Sequence, residues 1–114
     1  MEIETKERVL LSAVWCRHGE LLPHNPYSVD KGFVVTGFMH CSCFLIMSLL
    51  PRNLVGSKKN HVQGFITNKN RFVDRVEGLA IALLADQIDL SKKFNPKDKL
   101  MSEDLFYWGI NGTN

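Results

Sequence analysis

The sequence predicts an α+β domain, a small antiparallel sheet of about four strands with two helices packed on it. Two early segments, residues 9–16 and 32–38, carry the β-branched and aromatic content of strands. A third stretch, residues 62–73, reads as a hairpin that feeds directly into a capped helix. Two further stretches, residues 40–50 and 75–88, show apolar residues at helical spacing. The order strand, strand, helix, hairpin, helix favours local antiparallel pairing over a parallel sheet.

Each element has its own local reason. Residues 9–16 alternate loosely, with Leu11, Ala13 and Trp15 on one side and Leu10, Ser12, Val14 and Cys16 on the other. That is a strand covered at least partly on both faces. Residues 18–31 hold Gly19, Pro23, Asn25, Pro26 and Asp30. They form a loop, long for a small domain, of the kind that shapes sites. Residues 32–38 form the second strand. From His40 the period of two is lost. Cys43, Ile46, Met47 and Leu50 fall on a helical spacing, and Pro51 ends it. Residues 52–60 read as a basic loop. Residues 62–67 and 71–73 pair across Asn68-Lys69-Asn70, and Asn tolerates the left-handed conformations such a turn needs. Asp74 is placed as the N-cap of the second helix, with Glu77 three residues on. That helix is expected to bury Val76, Leu79, Ala80, Leu83 and Leu84. Gly78 inside it costs about 1 kcal/mol relative to Ala, which points to a close backbone contact.

The chain has 114 residues, 45% apolar and 23% charged, the balance of one ordinary globular domain with its core at about residues 9–106. A formal charge of +2 gives no support to nucleic-acid binding. The longest apolar run, residues 43–50, is far shorter than the roughly 20 residues of a membrane span, so no membrane partner is expected. The first residues carry both charge signs and no apolar stretch, unlike a signal peptide. Three cysteines, two of them one residue apart, do not form a disulfide framework, and a reducing cytoplasm is the simplest compartment.

The residues bear on three chemistries. Cys16-x-His18 and His40-Cys41-x-Cys43 supply enough ligand types for zinc but lack the usual Cys-x-x-Cys spacing. Small buried cysteines are the plainer reading, and neither metal nor cofactor is expected. His40, at the junction of a strand and a helix, suits acid–base work or an anion contact, and equally suits filling a polar gap at the helix start. No nucleophile elbow or phosphate loop is present, so no catalytic residue is assigned. Anion recognition has the most support. Arg71 and Arg75 lie four apart across the hairpin–helix junction, with Asn68, Lys69 and Asn70 beside them. Taken singly, either arginine is explained by an ion pair with Asp74, Glu77, Glu103 or Asp104.

The segments Val14-Trp-Cys-Arg-His-Gly19, Val35-Thr-Gly-Phe-Met-His40, Gln63 through Arg75 with Glu77, and Leu100-Met-Ser-Glu-Asp-Leu105 together resemble a family of short bacteriophage proteins. The resemblance runs from about Val9 to about Leu105, with the hairpin and the Ser-Glu-Asp-Leu tail its most specific parts. Met39 replaces an expected basic residue, and Gly78 replaces an expected Ala. The resemblance implies a virus-encoded accessory protein of the host cytoplasm. Small phage proteins of this size often counter host defence by sequestering a nucleotide signal, cleaving it, or gripping a defence protein.

The first expectation is therefore a binding module for a nucleotide-type ligand, with His40, Asn68, Arg71, Arg75, Glu103 and Asp104 as its binding residues. Arg71 and Arg75 would hold phosphate, Asn68 or Asn70 a ribose or base, and Glu103 and Asp104 the ribose hydroxyls. A homo-oligomer is expected, since one small domain makes a shallow pocket. The alternatives are a small phosphodiesterase or hydrolase using His40, and a direct inhibitor of a host defence protein anchored by Phe106-Tyr-Trp108.

Overall fold

The strand β1 (Val9–Cys16) pairs on both sides and organises everything else. A computed structural model describes residues 6–105. Within it, β2 (Phe33–Gly37), β3 (His61–Thr67) and β4 (Phe72–Asp74) complete an antiparallel sheet of order β2-β1-β3-β4. The two longer helices are α1 (His40–Ser48) and α3 (Arg75–Leu84), with the single turn α2 (Arg52–Val55) between them. The predicted class, four antiparallel strands with two helices, is the one observed.

Register explains the faces. Cys16 lies opposite His61 and Phe33, and Val14 lies opposite Gln63 and Val35. These residues share the face that both helices cover. Under α1 the core is Val14, Cys16, Val35, Cys43 and Met47. Under α3 it is Phe65, Val73, Leu79, Ala82 and Leu100, with Val9. A register shift between Val9 and Leu11 puts Val9 opposite Thr67 and Leu11 opposite Ile66. The extra residue, Leu10, flips the alternation, so Val9 reaches the helix-covered face that simple period-two counting would deny it.

The opposite face is covered by the long loop. Val29 packs with Ala13 and Phe72, whose ring stands edge-on to Trp15 at 5.6 Å. Ser28 gives and receives hydrogen bonds with the Phe72 backbone at 2.8 and 2.9 Å, and Trp15 Nε1 donates to Lys31 O at 2.8 Å. Within residues 18–31, Val29 is the side chain buried in this face, and most of the others are exposed.

Several expectations need correction. The second helix stops at Leu84, not at residue 88, because Asp86 adopts a left-handed φ of 58°. Its buried face is Gly78, Leu79, Ile81 and Ala82, whereas Val76, Ala80, Leu83 and Leu84 are exposed. The expected stripe was shifted, because Gly78, not a larger residue, marks the contact line. A Cβ there would lie 3.0 Å from the Phe65 ring and 3.4 Å from Leu100. The basic stretch after Pro51 is not plain loop but holds α2 and a 3-10 turn, Lys58–Asn60. Asp74 does cap α3, accepting from the Glu77 N–H at 2.8 Å. The reciprocal half of the capping box is replaced, since the Glu77 carboxylate reaches Arg71 at 3.0 Å.

Candidate functional site

At its His61 end, β3 outruns its neighbour. β4 pairs only with Gly64–Ile66, so residues 61–63 have no strand partner on that side. Arg75, the first residue of α3, lies over this open edge. One terminal nitrogen, Nη1, donates to Leu100 O at 2.9 Å and contacts Met101 Sδ at 3.2 Å, and Nη2 donates to Gln63 Oε1. These contacts aim the guanidinium but leave some of its five N–H donors over. Among the described residues Arg75 has no ion-pair partner within 4.0 Å. Burial pulls its pKa below the usual arginine value, and Glu103 and Asp104 oppose that shift. Beside it lies an open groove of about 360 Å³, lined by His61, Gln63, Arg75 and Lys99, with Asp74 at the α3 cap. A partly buried cation with no ion pair within 4.0 Å among the described residues, at the positive end of a helix, favours an anion beside it.

His40 does not line this groove but feels the charge of Arg75. It is 7% exposed and stands edge-on to Phe65 at 5.1 Å. Its Nε2 is 2.8 Å from Gly64 O, and a carbonyl can only accept, so Nε2 carries the proton. Nδ1 then accepts from Ser102 Oγ at 2.5 Å. The same Ser102 oxygen receives the His40 backbone N–H at 3.1 Å, the cap that Met39 fails to provide for α1. Ser12 Oγ lies 2.8 Å from Ser102 Oγ and 3.2 Å from Phe38 O, sharing its proton between them. Burial first, then the charge of Arg75, lowers the His40 pKa from 6.5 to about 4. His40 is therefore neutral at physiological pH.

The other expected site residues separate into two groups. Asp104 and Glu103 share the Arg75 neighbourhood through their charges. Asp104 is already committed. One oxygen accepts from Phe94 N–H at 2.9 Å, and the other accepts from Met101 N–H and pairs with Lys93 Nζ, both at 2.8 Å. Glu103 is exposed. Arg71 and Asn68 stand apart from them. Arg71 grips Glu7 with two donors at 2.9 and 3.1 Å and Glu77 with a third at 3.0 Å. These pairs hold the Glu7 carboxyl below its usual range and push Arg71 further up. Asn68 uses both ends of its amide on the backbone of Arg8 (2.8 Å) and Lys6 (3.0 Å). Together they fasten the segment before β1 to the hairpin.

Cys16 and Cys43 are buried, and burial raises both thiols to about 11, while Cys41 is exposed. Among the described residues no three His, Cys, Asp or Glu side chains converge as a metal site would require.

Sequence reasoning missed Ser12, Gln63, Lys93, Lys99 and Ser102 as organising residues. Ser102 carried a signal, since it opens the Ser-Glu-Asp-Leu tail. Lys99 carried none, being one lysine of a polar loop.

Comparison with known proteins decides the origin of the chain. A family model described as Phage T4 y16D protein matches residues 8–106. The chain belongs to the phage T4 y16D protein family. The match spans every element described here and agrees with the expected kinship to short phage proteins. No curated protein and no solved structure matches the chain. No helix among the described residues is long and apolar enough to cross a membrane.

Proposed function

We propose that this member of the phage family is an accessory protein of the host cytoplasm that binds and sequesters a nucleotide-derived immune signal. The observation that supports this reading best is Arg75, a guanidinium held by neutral acceptors with no carboxylate within 4.0 Å among the described residues, beside a groove that presents Lys99 as well as Asp74. Such an arrangement suits a phosphate, which takes two parallel N–H bonds from one arginine. In this reading Arg75 holds the phosphate and Gln63 contacts sugar or base, while Glu103 acts on Arg75 through its charge and His40 supports β3 at Gly64. Arg71 and Asn68 act at one remove, by holding the hairpin. Calorimetry and thermal shift against cyclic dinucleotides, ADP-ribose derivatives and mononucleotides test it. Binding with the ligand recovered intact by mass spectrometry supports sequestration, and an altered mass would make the protein a hydrolase.

A second reading, contact with a host defence protein or with another copy of the chain, rests on a different observation. The outer side of α1 exposes Leu45 at 65% and the adjoining Leu49 at 78%. Neighbouring exposed leucines of this kind favour a protein–protein contact. The aromatic segment Phe106-Tyr-Trp108, the expected anchor, lies outside the described residues. Sedimentation of the wild type and of Leu45→Ser/Leu49→Ser distinguishes a homo-oligomer from a monomer.

A further inference from the structure

A second cleft adjoins the Arg75 groove. It has a volume of about 380 Å³ and lies between α1, α2 and the start of β3. Its apolar lining is Phe44, Met47, Leu50 and Val55, and its polar members include Arg52 and Lys58. No carboxylate lines it. Arg52 and Lys58 are both exposed and have no ion pair among the described residues.

His61 lines both clefts. Its Nε2–H donates to Val55 O at 2.9 Å, which leaves Nδ1 as an acceptor. That Nδ1 is buried and has no hydrogen-bond partner among the described residues. A buried unsatisfied acceptor is costly, but this one is closed to solvent, so His61 joins the clefts by its position and not by that atom. The two clefts thus carry Arg52 and Lys58 beside an apolar compartment and, across His61, Arg75 and Lys99 with Asp74. One phosphate satisfies one cation pair. An apolar compartment of this size suits a flat ring better than a second hydrated anion.

We infer that the two clefts form one trough, and that its ligand is a dinucleotide: one phosphate at Arg75 and Lys99, a base against Phe44 and Met47, and a second phosphate at Arg52 and Lys58. This deepens the nucleotide-binding reading and rests on it. A mononucleotide can satisfy one end of such a trough and not both.

The test is calorimetry with cyclic di-AMP, linear di-adenylate, AMP and inorganic phosphate, on wild type, Arg75→Met and Arg52→Ala/Lys58→Ala. The rim substitutions are on exposed residues and leave the core intact, which circular dichroism verifies. The expected result is that at least one dinucleotide binds about tenfold or more tightly than AMP, and that each variant weakens it by about tenfold. If Arg75→Met abolishes nucleotide binding while Arg52→Ala/Lys58→Ala leaves dinucleotide and AMP affinities equal and unchanged, the trough is wrong and the single-phosphate groove stands. If the wild type binds none of these nucleotides and none of the ADP-ribose series, the nucleotide reading falls, and the trough with it.

Discussion

Ser102 Oγ lies 2.5 Å from His40 Nδ1 and 3.1 Å from the His40 backbone nitrogen, so one hydroxyl holds the ring and caps the helix that the ring begins. The Ser-Glu-Asp-Leu tail is thereby tied to the N-terminus of α1, and through the ring to Gly64 of β3.

Stability should fall with acidification because His40 is buried as a neutral ring, beside the charge of Arg75. His40 has a folded pKa of about 4 against an ordinary 6.5. The unfolded chain therefore binds more protons in that window, and stability falls as pH drops through it. The loss approaches roughly 3 kcal/mol by the lower end. Urea titrations at pH 7.5, 5.5 and 4.5 measure it. His40→Gln should be less stable at neutral pH and flatter across the window, and an equally steep wild type and variant would refute the assignment.

The Lys93–Asp104 pair is almost wholly buried, with side chains 0% and 1% exposed. Lys93→Met should cost about 3–5 kcal/mol, because it strands a buried carboxylate. Asp104→Ala should cost at least as much, since it also orphans the Phe94 and Met101 N–H groups. Denaturant midpoints of both variants check this, and a loss below about 1 kcal/mol for either would contradict the buried pairing.

Arg71 should behave as a clasp. Its side chain is 35% exposed, so Arg71→Ala and Glu7→Gln should each cost only about 1 kcal/mol or less. A double-mutant cycle should show the two losses to be coupled. Phosphate or nucleotide affinity of Arg71→Ala should remain at the wild-type value.

Two glycines should differ sharply. A Cβ on Gly64 would lie 2.1 Å from Val73 O, inside the β3–β4 ladder, whereas one on Gly19 meets nothing within 4 Å. Gly64→Ala should cost more than about 3 kcal/mol by forcing the strands apart. Gly19→Ala should cost about 1 kcal/mol, from its left-handed φ alone. Thermal unfolding of the two variants ranks them.

Much of this fold was legible locally. Val9 and Cys16 bound β1 as expected, and Asp74 caps α3, because alternation and capping are local chemistry. The buried face of α3 was not legible, since Gly78 gains its meaning from Phe65 and Leu100 across the core. The candidate site was half legible. Arg75 stood out by position, but the pairing of Arg71 with Glu7 joins residues 64 apart in sequence. Ser102 and His40 are likewise 62 residues apart, and no spacing rule joins them.

The most direct measurement is calorimetric titration of wild type, Arg75→Met and Arg71→Ala with the nucleotide that gives the largest thermal shift. The account predicts wild-type binding that Arg75→Met weakens by about tenfold or more and Arg71→Ala changes by less than about twofold. Equal affinity in wild type and Arg75→Met, or a loss confined to Arg71→Ala, would contradict it.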